Sequence, residues 1–203
     1  MTAIIDYNMG NLASVRNAFA KIGAGTTVID DPDALAGYDR IILPGVGAFG
    51  DAMAHLQRSG MDEAIRAFAE SGKPLLGICL GMQLLLERSE EFGTHAGLGL
   101  IPGSVVRFDS DRFPKPLKVP HMGWNELFVT KRTPLFAGLP DAFYLYFVHS
   151  YHAQCDQAYV MGETLYGYRF PSAICRDNIY GIQPHPEKSH KNGLQILKNF
   201  MEV

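Results

Sequence analysis

The run Leu75-Leu76-Gly77-Ile78-Cys79-Leu80-Gly81-Met82-Gln83 puts a cysteine at the join between an apolar strand and a helix, with a glycine two residues to either side. This is the nucleophile-elbow pattern with sulfur in place of the serine oxygen. A strained strand-to-helix turn needs small neighbours, so that the backbone can fold tightly and a substrate can reach the exposed side chain. The following helix turns free N–H groups and the positive end of its dipole toward the sulfur, which favours thiolate. Cys155 and Cys175 lack such a context and read as small buried hydrophobes.

A thiolate nucleophile needs a base. In Gly181-Ile182-Gln183-Pro184-His185-Pro186-Glu187-Lys188-Ser189, His185 and Glu187 stand two apart at a strand end, so both side chains leave one face and the carboxylate can orient the imidazole. Pro184 and Pro186 stop the ladder and stiffen the flanks. Alone, a His-x-Glu pair is an ordinary surface feature; with the cysteine elbow it completes a Cys-His-Glu triad. The third part is Leu43-Pro44-Gly45-Val46-Gly47-Ala48-Phe49-Gly50, a glycine-rich loop after a strand. Its peptide N–H groups can face a developing oxyanion, with the Leu80 amide as a natural second donor. A phosphate cradle is the rival use, but the lysine and hydroxyl of a P-loop are absent, and an ordinary turn also fits.

The elements that must hold these residues follow from periodicity. Up to about residue 92, apolar runs at 3–5, 26–29, 40–43 and 74–78 alternate with helix-spaced segments at 12–22, 51–58, 62–70 and 80–88. Such alternation implies parallel crossovers and a sheet covered on both faces. After Gly97 the spacing becomes strand after strand, at 104–108, 127–130, 143–149, 159–165, 172–176 and 180–183, before a final helix carrying Leu194, Leu197, Phe200 and Met201. The expectation is one three-layer α/β domain over residues 1–203, with a mixed, mostly parallel sheet flanked by helices. Ligands of such sheets sit at the carboxyl ends of the parallel strands, beyond Leu43 and Ile78.

Composition agrees with a packed globule: of 203 residues, 47% are hydrophobic and 19% charged. A formal net charge of −3 gives no basic excess to neutralise phosphates, so a nucleic-acid partner has no electrostatic support. No 18-residue apolar run offers a membrane span, and no basic, apolar leader opens the chain. Three cysteines with no pair at two-residue spacing suggest neither a metal site nor a redox couple, so a cytoplasmic protein with no metal and no cofactor is expected.

With both Gly77-Ile78-Cys79-Leu80-Gly81-Met82-Gln83 and His185-Pro186-Glu187, in that order, the sequence resembles the class I (triad) glutamine amidotransferases. The resemblance spans essentially the whole chain. Four further segments are similar to one branch, the glutaminase subunits of imidazole glycerol phosphate synthases: 6–12, 43–49, Pro120-His121-Met122-Gly123-Trp124-Asn125 and Val148-His149-Ser150-Tyr151. It implies Cys79 as nucleophile, His185 as acid/base and Glu187 as its orienter. Gln83, Gly47, Ser150 and Tyr151 would hold L-glutamine, and Leu80 with a reoriented Val46 peptide would supply the oxyanion N–H groups. Two positions depart from the family: Pro184 replaces an aromatic residue, and Asn8 stands where glycine is usual.

Free ammonia is quickly protonated in neutral water, so a glutaminase should deliver it directly to an acceptor site. The sequence contains no recognisable phosphate-binding motif for a phosphorylated acceptor. The resemblance accordingly implies a heterodimer with a separate (β/α)8-barrel cyclase, which makes imidazole glycerol phosphate and an aminoimidazole carboxamide ribonucleotide. Candidate docking residues are Asn11, His121, Met122, Trp124 and Lys188, in loops on the presumed active face; Trp124 reads equally as a core aromatic. The rival readings are a sibling class I glutaminase, a cysteine hydrolase without ammonia transfer, and a non-enzymatic subunit that kept the fold.

Overall fold

Short apolar strands alternate with amphipathic helices over the first half of the chain: β1 (Thr2–Ile5), α1 (Leu12–Lys21), β2 (Thr26–Ile29), β3 (Arg40–Leu43), α2 (Phe49–Ser59), α3 (Met61–Glu70), β4 (Leu75–Ile78) and α4 (Leu80–Leu84). Strands dominate the second half: β5 (Leu86–Ser89), β6 (His95–Ala96), β7 (Ile101–Arg107), β8 (His121–Val129), β9 (Ala142–His149), β10 (Tyr151–Gln154), β11 (Val160–Tyr166), β12 (Tyr168–Arg176) and β13 (Ile179–Ile182), closed by α5 (His190–Phe200). The computed structural model describes residues 1–203.

The central strands are apolar on both faces because both faces are covered. Ala3, Ile5, Ile41, Leu43 and Leu75 pack into one core, with Phe49 and Leu56 of α2 and Ile65 and Phe68 of α3. Their strand neighbours Ile4, Ile42, Leu76 and Ile78 point the other way, onto Phe19 of α1 and Leu197 and Phe200 of α5. Period-two alternation thus sorts one strand's residues between two cores and produces three layers. Each fully buried Ile, Leu or Phe among them contributes roughly 1.5–3 kcal/mol.

The main sheet has the order β2-β1-β3-β4-β13-β12-β11-β8-β9. Pairings from β2 to β13 are parallel, and those from β13 to β9 antiparallel. The sheet is therefore mixed as expected, but split evenly rather than weighted toward parallel. Parallel neighbours require long crossovers, which the segments of the first half supply among β1 to β4 and residues 79–178 supply between β4 and β13.

A second sheet, β10-β7-β5-β6, has no counterpart in the expected layout. It forms because the helix over 80–88 stops at Leu84. The carbonyls of Leu84 and Leu85 accept N–H groups from Leu98, Leu100 and Ile101 at 2.8–3.0 Å, and Leu86 then pairs with Ile101 as a strand. The register of β13 against β4 sets Ile182 beside Ile78, so the two following segments leave the sheet edge together. These are the segments of Cys79 and His185.

Candidate active site

Cys79 joins β4 to α4 with φ 55° and ψ −112°, a conformation that costs an L-residue on the order of 1–3 kcal/mol. The surroundings impose it: the Cys79 N–H donates to the Ile182 carbonyl at 2.8 Å, and its carbonyl accepts the Gln83 N–H at 3.2 Å. A Cβ on Gly81 would lie 1.7 Å from the Leu43 carbonyl oxygen, and one on Gly77 would lie 2.7 Å from the Gly81 oxygen. Both glycines are demanded by close backbone approach. The helix beyond is only five residues long, so what it presents to the sulfur is mainly its first free N–H groups, beginning with Leu80.

His185 and Glu187 meet across a 3-10 turn over Pro186–Lys188 rather than through strand pleating, because β13 ends at Ile182. The His185 Nδ1–H donates to Glu187 Oε1 at 2.7 Å, with both side chains almost wholly buried. This fixes the tautomer and leaves Nε2 for the sulfur side, where it is buried with no hydrogen-bond partner. Burial works against a charged imidazole here. The neighbouring Cys79 and the Glu187 carboxylate outweigh it, and the His185 pKa is raised to about 10. Pro184 removes one donor without harm: Gln183 N–H reaches the Ser172 carbonyl and His185 N–H the Tyr146 carbonyl, each at 2.9 Å.

A cavity of about 350 Å³ opens over the sulfur, lined by Val46, Gly47, Cys79, Leu80, Gln83, Ser150, Tyr151 and His185 among others. It gathers every residue expected to bind glutamine or stabilise an oxyanion. Gln83 Nε2 donates to the Tyr151 carbonyl and to Gln183 Oε1, both at 3.0 Å, which leaves its oxygen as an uncommitted acceptor. The Val46 N–H, however, donates to the Met9 carbonyl at 3.3 Å. Tyr7 braces the same loop, its hydroxyl donating to the Pro44 carbonyl at 2.7 Å. Burial, reinforced by Cys79, pushes the Tyr7 pKa up and keeps it a donor. Asn8, with φ 66°, explains why a glycine suits that place.

Glu91, His149 and Gln183 also belong to the site, although their residue types alone gave no sign of it. Glu91 lines the cavity while its Oε2 accepts the Phe49 N–H at 2.7 Å, at the start of α2. Its position depends on the second sheet, which the spacing of residues 80–100 conceals. His149 lines the wall with its Nδ1–H on the Tyr151 carbonyl at 2.8 Å.

Of the docking candidates, Asn11, Met122, Trp124 and Lys188 are exposed. Trp124 retains 47% exposure with its ring stacked on His190, so it is not a core aromatic. His121 is a correction. Residues 121–129 form a strand, not a loop, and its pleat turns Met122 and Trp124 outward but His121 inward, where it is 3% exposed between Phe147 and Tyr166.

The family model described as glutamine amidotransferase class-I matches residues 3–203. Imidazole glycerol phosphate synthase subunit HisH of Sulfurimonas denitrificans is 67% identical over 201 residues, covering 98% of this chain and 97% of that one. The protein of the same name from Wolinella succinogenes is 59% identical over 204 residues, with full coverage of both. Among solved structures, PurLQS from Thermotoga maritima superposes with a TM-score of 0.78 at 21% identity, covering 99% of this chain and 97% of that one. At that identity the likeness is one of fold. No helix is long and apolar enough to cross a membrane.

Proposed function

The chain belongs to the class I glutamine amidotransferase family, and from that premise we propose that it is the glutaminase subunit of an imidazole glycerol phosphate synthase. It hydrolyses L-glutamine and passes the ammonia to a separate (β/α)8-barrel cyclase. The observation that carries this reading is a strained cysteine at a strand–helix join, lining a cavity the size of one amino acid together with a carboxylate-fixed histidine. The identity of 67% to a HisH subunit narrows the branch.

In the proposed reaction the Cys79 thiolate attacks the side-chain amide carbon of glutamine. The resulting oxyanion is held by the Leu80 N–H and by a peptide N–H of the 45–47 loop, once that peptide turns from Met9. His185 donates its proton to the departing ammonia, leaving a γ-glutamyl thioester, then takes a proton from water as it attacks to release glutamate. Glu187 keeps the imidazole oriented and supports its charge. Gln83, Gly47, Ser150 and Tyr151 bind the glutamine backbone and amide, and Glu91 offers a carboxylate to the α-ammonium group. Asn11, Met122, Trp124 and Lys188 contribute to the surface that meets the cyclase, whose active site receives the ammonia.

The test is glutamate release from labelled glutamine with the candidate cyclase present. The wild-type pair is expected to release glutamate and accumulate a thioester on Cys79 in single turnover, and Cys79→Ala to give neither. Glutamate from the Cys79→Ala chain at the wild-type rate removes the assignment.

A further inference from the structure

Gln183 is completely buried and lies directly behind the reacting sulfur, with its Nε2 3.8 Å from Cys79 Sγ. The two ends of an amide are distinguished only by their hydrogen bonds, and here the network leaves one solution. The Tyr151 backbone carbonyl can only accept. The Gln83 nitrogen must therefore face it, and the second hydrogen of that nitrogen points to Gln183. Gln183 has to present its oxygen there, which turns its NH2 to the sulfur. The same carbonyl sets the other branch: His149 must carry its proton on Nδ1 and accept at Nε2 from His121 Nδ1–H, 2.9 Å away. His121 Nε2 in turn accepts from Asn125 at 3.1 Å.

We propose that Gln183 is a further catalytic residue, an N–H donor that holds the Cys79 thiolate from the side opposite substrate, aimed by a short relay from the Tyr151 carbonyl through Gln83. A hydrogen bond to the charged form of a group favours that form, and at a buried site the donor acts with little competition from water. Gln83 touches both the cavity and this relay, so it acts on the sulfur as a positioning residue. Substrate that bonds to the Gln83 oxygen bears on the amide that aims Gln183. The proposal rests on Cys79 being the nucleophile, but it concerns the thiolate before any glutamine is bound.

Alkylation of Cys79 by iodoacetamide, followed peptide by peptide across pH on the full chain, reads the thiolate without glutamine or cyclase. Gln183→Glu keeps the size and the acceptor for Gln83 but replaces the donor with a carboxylate; Gln183→Met removes both polar atoms. Cys79 labelling at pH 7 is expected to fall about tenfold in either variant, the loss of one hydrogen bond to a charged group, with the pH midpoint of labelling moved upward. A folded variant that labels with the wild-type pH profile overturns the proposal. The unmutated protein supplies an independent measurement, the 15N-resolved side-chain amide of Gln183. Its proton shift is expected to follow the Cys79 titration and to be flat in Cys79→Ala; a flat response in both overturns the proposal. Failure of the glutaminase assay with the alkylation response intact would instead count against the proposed reaction.

Discussion

His185 is required to hold a proton where burial alone would strip it. The ring is enclosed, and desolvation drives its pKa down. The Cys79 thiolate on one nitrogen's side and the Glu187 carboxylate on the other reverse that and raise it to about 10. The resting ring is then an imidazolium, so that in the proposed reaction the proton for the leaving ammonia is already in place. Its linkage has a definite sign. A histidine raised above its unfolded value of about 6.5 contributes stability that is complete below that pH and lost as pH rises through about 10. The charge of Cys79 is part of the cause, so Cys79→Ala is expected to lower the His185 midpoint by about one unit or more. A titration of the ring carbons by NMR checks this; an unmoved midpoint would mean that Glu187 alone sustains the charge. That His185 and Glu187 pair is legible in the sequence, but the 3-10 turn that joins them is not the strand end their spacing suggests. The role of Gln183, one proline earlier in the same run, is not legible, because an uncharged amide acquires a role only from what it faces.

At the scale of elements, the parallel half of the sheet could be read from β1, β3 and β4, whose apolar runs admit only a doubly covered strand. The segment 80–101 could not. Leu80, Leu84 and Leu85 continue a helical spacing, yet the carbonyls of Leu84 and Leu85 are claimed by residues 98–101, a long-range competition that local periodicity does not register. Strand β8 illustrates the same limit, since a one-residue choice of register decides whether His121 or Met122 meets solvent. The inward choice joins β8 to β9 through His121 and His149, both pushed down by burial, His121 to about 4. A histidine depressed in the folded state supports stability above its unfolded pKa, and that support is lost as pH falls from about 6.5 toward 4. Between pH 7 and 5 His121 alone should cost on the order of 2 kcal/mol. Urea unfolding is expected to show His121→Phe less stable than wild type at pH 7, since His149 loses its donor, but with a smaller drop on acidification. Parallel pH profiles for the two proteins would remove the strand-pair explanation.

Across the whole molecule, the site is assembled from segments more than a hundred residues apart: the loops after β1, β3 and β4, the β9–β10 turn and the end of β13 all converge beside Cys79. One contact among them is out of catalytic order. The Val46 N–H serves the Met9 carbonyl, and Gly47, at φ 106°, has so little room that a Cβ would lie 2.8 Å from the Met9 side chain. The loop after β1 thus holds the 45–47 peptides in an arrangement that, in the proposed reaction, leaves Leu80 as the available oxyanion donor. Loop residues flanked by glycine can reorient at low cost, and Asn11 and Val46 are exposed to whatever docks on this edge. A partner that shifts the loop after β1 would release Val46 and complete the hole. An oxyanion donor acts on the transition state, and loss of one costs about 10²–10³-fold in kcat. Glutaminase rates of the isolated chain are therefore expected to rise by about that factor when the proposed cyclase partner and its substrate are added, mostly in kcat with KM little changed. An isolated chain already at the full rate, or activation confined to KM, would show that the Val46–Met9 contact does not govern the reaction.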